Sequence, residues 1–353
     1  MTNKLNAVDL FSGCGGFSYG LQEAGLRVVI GVDNVESALK TFTKNHIGAK
    51  ALNLDLHLDS AIDKIVEELD GEKLDVIIAG PPCQGFSLTG TRNEKDKRNT
   101  LFNAVFRLAK ETKPKAIIIE NVLGLLKLYE GKAKEEIIAN CKKLGYTCNV
   151  ETLFAPDYGV PQIRKRVFFV ALKEEYGTFE FPKPKLEVAN YVTCKQAIDD
   201  LPSLENELGN ELMGYSSKAQ SEYQKLMRKE GKKQLLNHVG TRHTPHVIDV
   251  ISQVPEGGNH KDLPPGIGDS RKFNEAWTRY HGDKPSKTID TGHRNHFHYK
   301  WNRVPTVREN ARLQSFPDNF HFIGTKTQQN RQVGNAVPPL LGRVLGEQLI
   351  KFI

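Results

Sequence analysis

A cysteine in the first half of the chain stands where a reactive thiol would be displayed. Cys83 follows two prolines that end the apolar run of residues 74–79, and it opens the polar stretch of residues 84–100. A lone cysteine is most often a small buried hydrophobic residue. A strand end followed by Gly, Ser, Thr and charged residues instead suits a mobile lid over a ligand. We therefore predict that Cys83 is a nucleophile.

A carboxyl group ends the next apolar run. Glu120 follows Ala-Ile-Ile-Ile at residues 116–119 and precedes Asn121. Partial desolvation at the end of such a run raises the pKa of a carboxyl group and favours its protonated, hydrogen-bond-donating form. The two strands are expected to lie near one another, so Cys83 and Glu120 would face one crevice.

Three predicted strand ends carry groups that suit a nucleoside cofactor. The first is the turn at residues 12–16, Ser-Gly-Cys-Gly-Gly, whose backbone can approach a ligand at a helix N-terminus. The next two strands end in Asp33 and Asp55, and an acid about 20 residues after the first glycine suits ribose hydroxyls. Taken alone, Asp33 could instead cap a helix. Ser18 replaces the last glycine of a dinucleotide fingerprint, and acidic groups repel phosphates, so S-adenosylmethionine fits better than NAD.

A thiol, a proton donor and a methyl sulfonium together suggest one reaction. An electron-poor pyrimidine is methylated at carbon 5 only after a nucleophile adds at carbon 6, and hydrogen bonding at N3 stabilises that adduct. Gln162, Arg164 and Arg166 would share one face of an extended segment by the two-residue period. Two guanidinium groups there could grip a base carbonyl and phosphates. A solvated basic edge is the alternative.

The spacing of apolar residues predicts the elements that hold these groups. From residue 6 to about 172, short β-branched runs alternate with amphipathic stretches, which indicates a doubly wound α/β domain with a mostly parallel sheet. Predicted strands cover residues 7–11, 28–32, 51–54, 75–79, 116–119 and 167–172, and predicted helices cover 17–24, 35–45, 61–69, 101–110 and 134–144. An irregular region follows. Eight of the eleven histidines lie between His238 and His298, where we expect polar surface rather than a metal site.

Composition is that of an ordinary globular protein with two domains. The chain has 353 residues, of which 39% are hydrophobic and 26% charged. No run of 18 apolar residues and no hydrophobic N-terminal signal occur, so we expect a cytoplasmic protein that does not enter a membrane. Five scattered cysteines argue against a disulfide framework or a structural metal. A net charge of +7 permits a polyanionic partner without requiring one.

These motifs together resemble those of the DNA (cytosine-5)-methyltransferases of bacterial restriction-modification type. The segments that carry the resemblance occur in the usual order: residues 9–17, 81–84 (Pro-Pro-Cys-Gln), 97–102, 120–122 (Glu-Asn-Val), 162–166 (Gln-x-Arg-x-Arg), 303–317 and 332–338. The short element Pro-Ser-Lys-Thr-Ile at residues 285–289 looks like one that supports target recognition in that family. The ordered set makes a chance match negligible.

The resemblance implies a Rossmann-like, S-adenosylmethionine-dependent catalytic domain at residues 1–181 and 303–353, with a target-recognition domain at residues 182–302. Cys83 would attack carbon 6 of a flipped cytosine, Glu120 would engage N3, and Arg164 and Arg166 would hold the base and the lid. The implied binding residues are, for the cofactor, Phe11, Gly13, Cys14, Gly15, Gly16, Asp33, Asn34, Asp55, Leu56, Pro81, Leu101, Asn335 and Ala336, and, for DNA, Gln84, Ser87, Arg98, Thr288 and Ile289.

The resemblance also implies partners and leaves alternatives. It implies double-stranded DNA as the substrate, S-adenosylhomocysteine as a product, no metal, a monomer, and functional pairing with a restriction endonuclease. Relatives often stack a Trp on adenine where this chain has Asn34, so stacking would rest mainly on Phe11. A transfer-RNA cytosine methyltransferase lacks support because its Cys-Phe-Thr signature is absent. A non-catalytic DNA-binding regulator would have lost Cys83 or Glu120, and the missing glycine disfavours a nucleotide-dependent oxidoreductase.

Overall fold

The computed structural model describes residues 4–82, 101–229, 234–269, 271, 275–292 and 295–353. The chain divides into two compact units. The first unit comprises Met1–Phe154, Lys165–Pro184 and Pro339–Ile353, and the second comprises Ala155–Arg164 and Lys185–Pro338. This division differs from the expected functional domains in assigning residues 155–164 and 303–338 to the second unit and residues 182–184 to the first. The functional domains themselves stay a prediction.

A twisted sheet forms the centre of the first unit. Its strands are β1 (Asn6–Leu10), β2 (Arg27–Asp33), β3 (Lys50–Asn53), β4 (Val76–Ala79), β5 (Ala116–Asn121), β6 (Tyr146–Phe154) and β7 (Lys165–Lys173). Among the described residues these seven strands lie in the order β3-β2-β1-β4-β5-β7-β6. Strands β1 to β5 are parallel, and β7 runs antiparallel to both β5 and β6. The predicted doubly wound, mostly parallel sheet is confirmed.

Strand β6 is missing from the sequence prediction. It is an edge strand that pairs with β7 alone, and most of its side chains are half-buried. Residues 146–151 nevertheless alternate apolar and polar types, which is the pattern of a strand with one buried face. The sequence analysis missed this signal.

The helices cover both faces of this sheet and continue into the second unit. In chain order they are α1 (Gly16–Glu23), α2 (Glu36–Asn45), α3 (Asp59–Glu68), α4 (Asn103–Thr112), α5 (Lys132–Lys143), α6 (Cys194–Ile198), α7 (Glu222–Arg228), α8 (Pro245–Gln253), α9 (Val307–Leu313), α10 (Lys326–Asn335) and α11 (Pro339–Leu349). The five helices predicted in the first unit are all present, with ends displaced by no more than two residues. No helix in the described part of the chain is both long enough and apolar enough to cross a bilayer.

Helix α11 packs against α1, so the last helix of the chain completes the first unit. A Cβ on Gly20 would overlap the carbonyl of Pro339, and a Cβ on Gly346 would overlap the side chain of Ala24. Glycine at these two positions therefore allows the two helix backbones to approach closely.

The second unit is held together by buried charges. Its strands are β8 (Gly209–Met213), β9 (Leu235–Val239), β10 (Thr278–Arg279) and β11 (His296–Phe297). Every residue of α9 is buried, including Arg312, whose guanidinium contacts Asp318 at 2.7 Å and Asp200 at 2.5 Å. Arg303 pairs with Glu309 in the same way at 2.6 Å. These charges have opposite partners because an isolated buried charge is costly. The buried guanidinium of Arg308 instead donates to main-chain carbonyls, among them those of Pro317 and Phe320.

The histidine-rich region is only partly the polar surface that we expected, because His246 is exposed but half of its eight histidines are buried. Four of its histidines are buried: His238, His260, His296 and His298. The N–H groups of Lys300 and Trp301 donate to Nδ1 of His298 at 3.0 and 3.2 Å. The ring proton is then on Nε2, which lies 3.6 Å from the Glu309 carboxylate. Main-chain and carboxylate partners therefore satisfy the imidazole inside the unit.

Acidification from pH 7 to pH 5 is expected to destabilise the second unit through His298. Burial lowers the pKa of His298 to about 3, whereas an unfolded histidine titrates near its ordinary value of about 6.5. The unfolded chain therefore takes up a proton that the folded chain does not, and stability falls as the pH drops below the unfolded pKa. His298 accounts for about 2 kcal/mol of this loss at pH 5.

Urea unfolding measures this loss, with tryptophan fluorescence as the signal, because Trp277 and Trp301 both lie in the second unit. His298→Gln is expected to flatten the pH dependence by that amount. The exposed His246→Gln variant serves as the control and keeps the wild-type dependence. Identical slopes for wild type and His298→Gln would contradict the prediction.

Candidate functional site

The predicted reactive and binding groups of the first unit that the structure describes lie at one edge of the sheet. Because β1 to β5 are parallel, their carboxyl ends share this edge, and β7 begins there because it is antiparallel. The strand order reverses between β1 and β4. In open α/β sheets, ligands bind in the crevice outside the strand ends at such a reversal.

The glycine turn after β1 has a strained, open backbone. Phe11 has a φ of 63°, which is unusual for a residue with a side chain, and Gly13 and Gly15 have φ values of 55° and 89°. The N–H of Ser12 donates to the carbonyl of Val32 at 2.9 Å. The turn is thereby fixed to the end of β2. Strained backbone of this kind is concentrated at functional sites.

Asp33 joins this turn to β2. One of its carboxylate oxygens accepts the N–H of Gly13 at 2.8 Å, and the other accepts the N–H of Val35 at 2.9 Å. Helix α2 is capped by Val35 without a side-chain bond, so the alternative of Asp33 as its N-cap is wrong. Burial raises the pKa of Asp33. Asn34, the next residue, is exposed.

Asp9, on β1, and Ser18, on α1, form a buried hydrogen bond that the sequence analysis did not predict. The Ser18 hydroxyl donates to Asp9 at 2.5 Å. Burial raises the pKa of Asp9 to about 7. The sequence did show that Ser18 replaces the last glycine of the dinucleotide fingerprint. The structure explains this replacement, because the Ser18 hydroxyl is needed as a hydrogen-bond donor inside the first unit. Burial likewise raises the pKa of Cys14 to about 12, so that thiol is no nucleophile at neutral pH.

The loop after β3 brings Asp55 and Leu56 to the same edge. Asp55 is exposed and accepts the N–H of His57 at 3.0 Å, whereas Leu56 is buried. Arg107, on α4, donates to the carbonyl of Leu56 at 2.5 Å and also pairs with Asp59. Arg107 therefore fixes this loop, a role that no motif in the sequence indicated.

Asn121 connects the end of β5 to the segment that leads to the predicted nucleophile. Its side-chain amide donates to the carbonyl of Pro81 at 3.3 Å. Pro81 is buried, and it stands two positions before Cys83. The sequence analysis named Asn121 only as part of a motif, and its bond to Pro81 depends on the pairing of β4 with β5.

Glu120 lies between the end of β4 and the start of β7. A Cβ on Gly80 would stand 3.6 Å from its Oε2, and Nε of Arg166 lies 2.9 Å from its Oε1. The two charged side chains are only 12% and 15% exposed. The sequence indicated desolvation at this carboxyl group. Desolvation favours the neutral carboxylic acid, whereas the guanidinium of Arg166 favours the carboxylate, because an adjacent cation stabilises that charge.

Arg164 has different surroundings from Arg166, although the sequence analysis placed the two on one face. Arg164 is buried in the second unit, and its Nη2 donates to the carbonyls of Gly334 at 3.2 Å and Ala336 at 3.1 Å. Gln162, also buried, accepts the N–H of Ile289 at 3.2 Å. Within the second unit these side chains join three of the segments that carried motifs.

Of the remaining predicted residues, Leu101 is buried in the first unit, and the others lie in the second unit or outside the described part of the chain. Thr288 is exposed and donates to the carbonyl of Ile163 at 2.6 Å, and Asn335 is exposed at the end of α10. Four predicted residues lie outside the described residues: Cys83, Gln84, Ser87 and Arg98. Among the described side chains, no three of His, Cys, Asp or Glu are arranged to bind a metal ion.

Comparison with known proteins places this site in a family. The chain is 38% identical over 99% of its length to the type II methyltransferase M1.HphI of Haemophilus parahaemolyticus, covering 87% of that protein. It is 37% identical over 98% of its length to M.DdeI of Desulfomicrobium norvegicum, covering 88%. A crystal structure described as a DNA modification methyltransferase of an E. coli prophage superposes with a TM-score of 0.81 at 26% identity, with 99% of each chain covered.

A more distant structure, the Dnmt2 methyltransferase of S. pombe, has a TM-score of 0.58 at 19% identity, with 99% of each chain covered, and shows the fold alone. The model of the C-5 cytosine-specific DNA methylase family matches residues 5–351. The resemblance found in the motifs is confirmed by these matches. The chain belongs to the C-5 cytosine-specific DNA methylase family.

Proposed function

We propose that this protein transfers a methyl group from S-adenosylmethionine to carbon 5 of a flipped cytosine in double-stranded DNA, through a covalent bond to Cys83. The observation that carries the proposal is the position of Glu120, next to Gly80 and paired with Arg166. Strand β5, which ends in Glu120, is the neighbour of β4, which leads to Cys83. Neighbouring strand ends would thus supply the nucleophile and the group that engages N3.

The glycine turn and the acidic strand ends suit S-adenosylmethionine chemically. A Cβ on Gly13 would meet nothing within 4 Å, so the turn leaves open space for a ligand beside its backbone. Asp33 and Asp55 would accept hydrogen bonds from ribose hydroxyls, and Phe11 would pack against the adenine. Bound S-adenosylmethionine would supply the methyl group.

The reaction assigns one task to each side chain. The thiolate of Cys83 would add to carbon 6 while Glu120 engages N3, which makes carbon 5 nucleophilic. After carbon 5 has gained the methyl group, its proton leaves to water and the sulfur is eliminated, which restores the ring. Arg166 would hold the Glu120 carboxyl group in place. Extrusion of the base from the stack costs a few kcal/mol.

The named relatives suggest the biological setting. Both are type II methyltransferases, so we propose that the protein acts as a monomer on a specific duplex sequence and protects that DNA from a cognate endonuclease. Arg164 would then act indirectly, because its guanidinium is committed to main-chain carbonyls. Transfer RNA is the alternative substrate.

The proposal is tested by methyl transfer from radiolabelled S-adenosylmethionine to duplex DNA and to transfer RNA. We expect label in duplex DNA as 5-methylcytosine and none in transfer RNA, and bisulfite sequencing of DNA from expressing cells would give the context. S-adenosylhomocysteine should raise the melting temperature and NAD should not, because a ligand stabilises the state that binds it. Folded protein that leaves no modified cytosine would overturn the proposal.

A further inference from the structure

Two aromatic rings, those of Phe42 and His46, pack between strand β2 and the glycine turn. Gly31, in the middle of β2, has no side chain, and the ring of Phe42 on α2 occupies the place that a Cβ there would take. The imidazole of His46 lies on that ring, with centroids 4.3 Å apart and planes inclined by 32°. His46 in turn fills the place that a Cβ on Gly15 would take. These contacts therefore connect strand β2 to the glycine turn through the rings of Phe42 and His46.

His46 is fixed from several sides within the first unit. It is 1% exposed, and its backbone N–H donates to the carbonyl of Phe42 at 2.9 Å. Its Nδ1 lies 2.6 Å from Oε1 of Gln22 on α1, an oxygen that only accepts, so the ring proton is on Nδ1. The ring of Tyr19 approaches edge-on at 6.4 Å. The imidazole thus has one position and one orientation.

The ring is neutral at physiological pH. Burial lowers the pKa of His46 to about 4, although the nearby backbone of Cys14 and Gly15 opposes this shift. The motif analysis assigned no role to His46, which lies outside every motif segment. Its influence on the turn therefore comes from shape and hydrogen bonding rather than from charge.

We propose that His46 is a positioning residue for the cofactor turn: its imidazole, backed by Phe42, holds Gly15 in the backbone conformation that binds S-adenosylmethionine. Two features favour glycine at position 15. Its φ of 89° is one that residues with side chains rarely adopt, and the imidazole of His46 occupies the space that a Cβ would take. The inference rests on the proposed function, in which this turn binds S-adenosylmethionine.

A double-mutant cycle on Gly15 and His46 tests the proposal, with the dissociation constant of S-adenosylhomocysteine measured by calorimetry. Gly15→Ala forces a side chain into the imidazole, and we expect a loss of affinity of about 10- to 100-fold, the range for overpacking. His46→Ala leaves the turn unsupported, and we expect about a 10-fold loss. The double variant should bind several-fold more tightly than Gly15→Ala alone, since the overlap is gone. It should stay below wild type because alanine is strained at this φ.

Kinetics separate positioning from general destabilisation. His46→Ala should raise the KM for S-adenosylmethionine about 10-fold and change kcat less than threefold, with unchanged DNA affinity. His46→Asn, which keeps a polar group near Gln22 but removes the ring, should resemble His46→Ala. The control is Lys44→Ala, an exposed change on the same helix, which should behave as wild type.

Two results would overturn the inference while leaving the proposed function intact. Wild-type affinity in His46→Ala, with or without a lower melting temperature, would show that His46 has only a structural role. Additive losses in the double variant would show that the imidazole does not meet the Gly15 side chain. Wild-type protein that binds neither S-adenosylmethionine nor S-adenosylhomocysteine would overturn the proposed function and this inference with it, so the two failures are distinguishable.

Discussion

Cys83→Ser is expected to bind duplex DNA and to produce no detectable 5-methylcytosine. A serine hydroxyl is far less ionised than a thiol at neutral pH and a weaker nucleophile, so addition to carbon 6 would fail while the DNA surface is unchanged. Asn121 anchors Pro81, two positions earlier, through a bond that the substitution does not touch. Methyl transfer and DNA binding, measured on the same preparation, separate the two effects.

The proposed covalent bond between Cys83 and the base can be detected with a substrate that traps it. When S-adenosylmethionine has methylated carbon 5 of a 5-fluorocytosine at the target position, that carbon holds fluorine in place of the proton that would leave, so elimination stops and the protein stays attached. We expect one adduct per protein, and peptide mass spectrometry should locate it at Cys83. Cys148→Ser is the control and should form the same adduct. Attachment at another residue, or full turnover in Cys83→Ser, would exclude Cys83 as the nucleophile.

Glu120→Gln is expected to slow methyl transfer by about 10²- to 10⁴-fold, the usual contribution of a positioned acid or base. The amide has nearly the same shape but carries no exchangeable carboxyl proton, so engagement of N3 weakens. It also removes the charge that pairs with Arg166 at 2.9 Å. Single-turnover rates at saturating DNA and cofactor measure the chemical step directly.

Two further variants show whether this effect belongs to Glu120 itself. Glu151→Gln changes an exposed carboxyl group on the edge strand β6, which β7 separates from β5, and should leave the rate unchanged. Arg166→Lys keeps a positive charge but loses the planar geometry of the guanidinium, and we expect a smaller loss than in Glu120→Gln. A Glu120→Gln rate within twofold of wild type would remove Glu120 from the mechanism.

The sequence predicted the parallel half of the sheet because buried parallel strands are continuous apolar runs. Residues 75–79 and 116–119 illustrate this, since both lie in strands whose side chains are almost all buried. The same runs located Glu120, because a polar residue after such a run stands at the strand end. The edge strand β6 carried a signal as well, because residues 146–151 alternate apolar and polar types, but the sequence analysis did not use it.

Contacts between distant segments were beyond the sequence. The pairing of Arg166 with Glu120 depends on β7 lying antiparallel beside β5, which local periodicity does not encode. The bond from Gly13 to Asp33 was likewise hidden, although both residues had been singled out. His46 gave no signal, because a single histidine after a helix has many possible roles. The chemical roles could be inferred from residue types. The residues that hold the functional groups in place could be identified only from tertiary contacts.

The contact between α1 and α11 has a consequence for biosynthesis. Helix α1 leaves the ribosome long before α11, yet the two pack together in the first unit. Domains commonly fold as they are translated, from the N-terminus onward. Here α1 must wait until residues 339–349 have been translated before its packing partner exists, and a ribosome that stalls short of residue 339 leaves the apolar face of α1 uncovered.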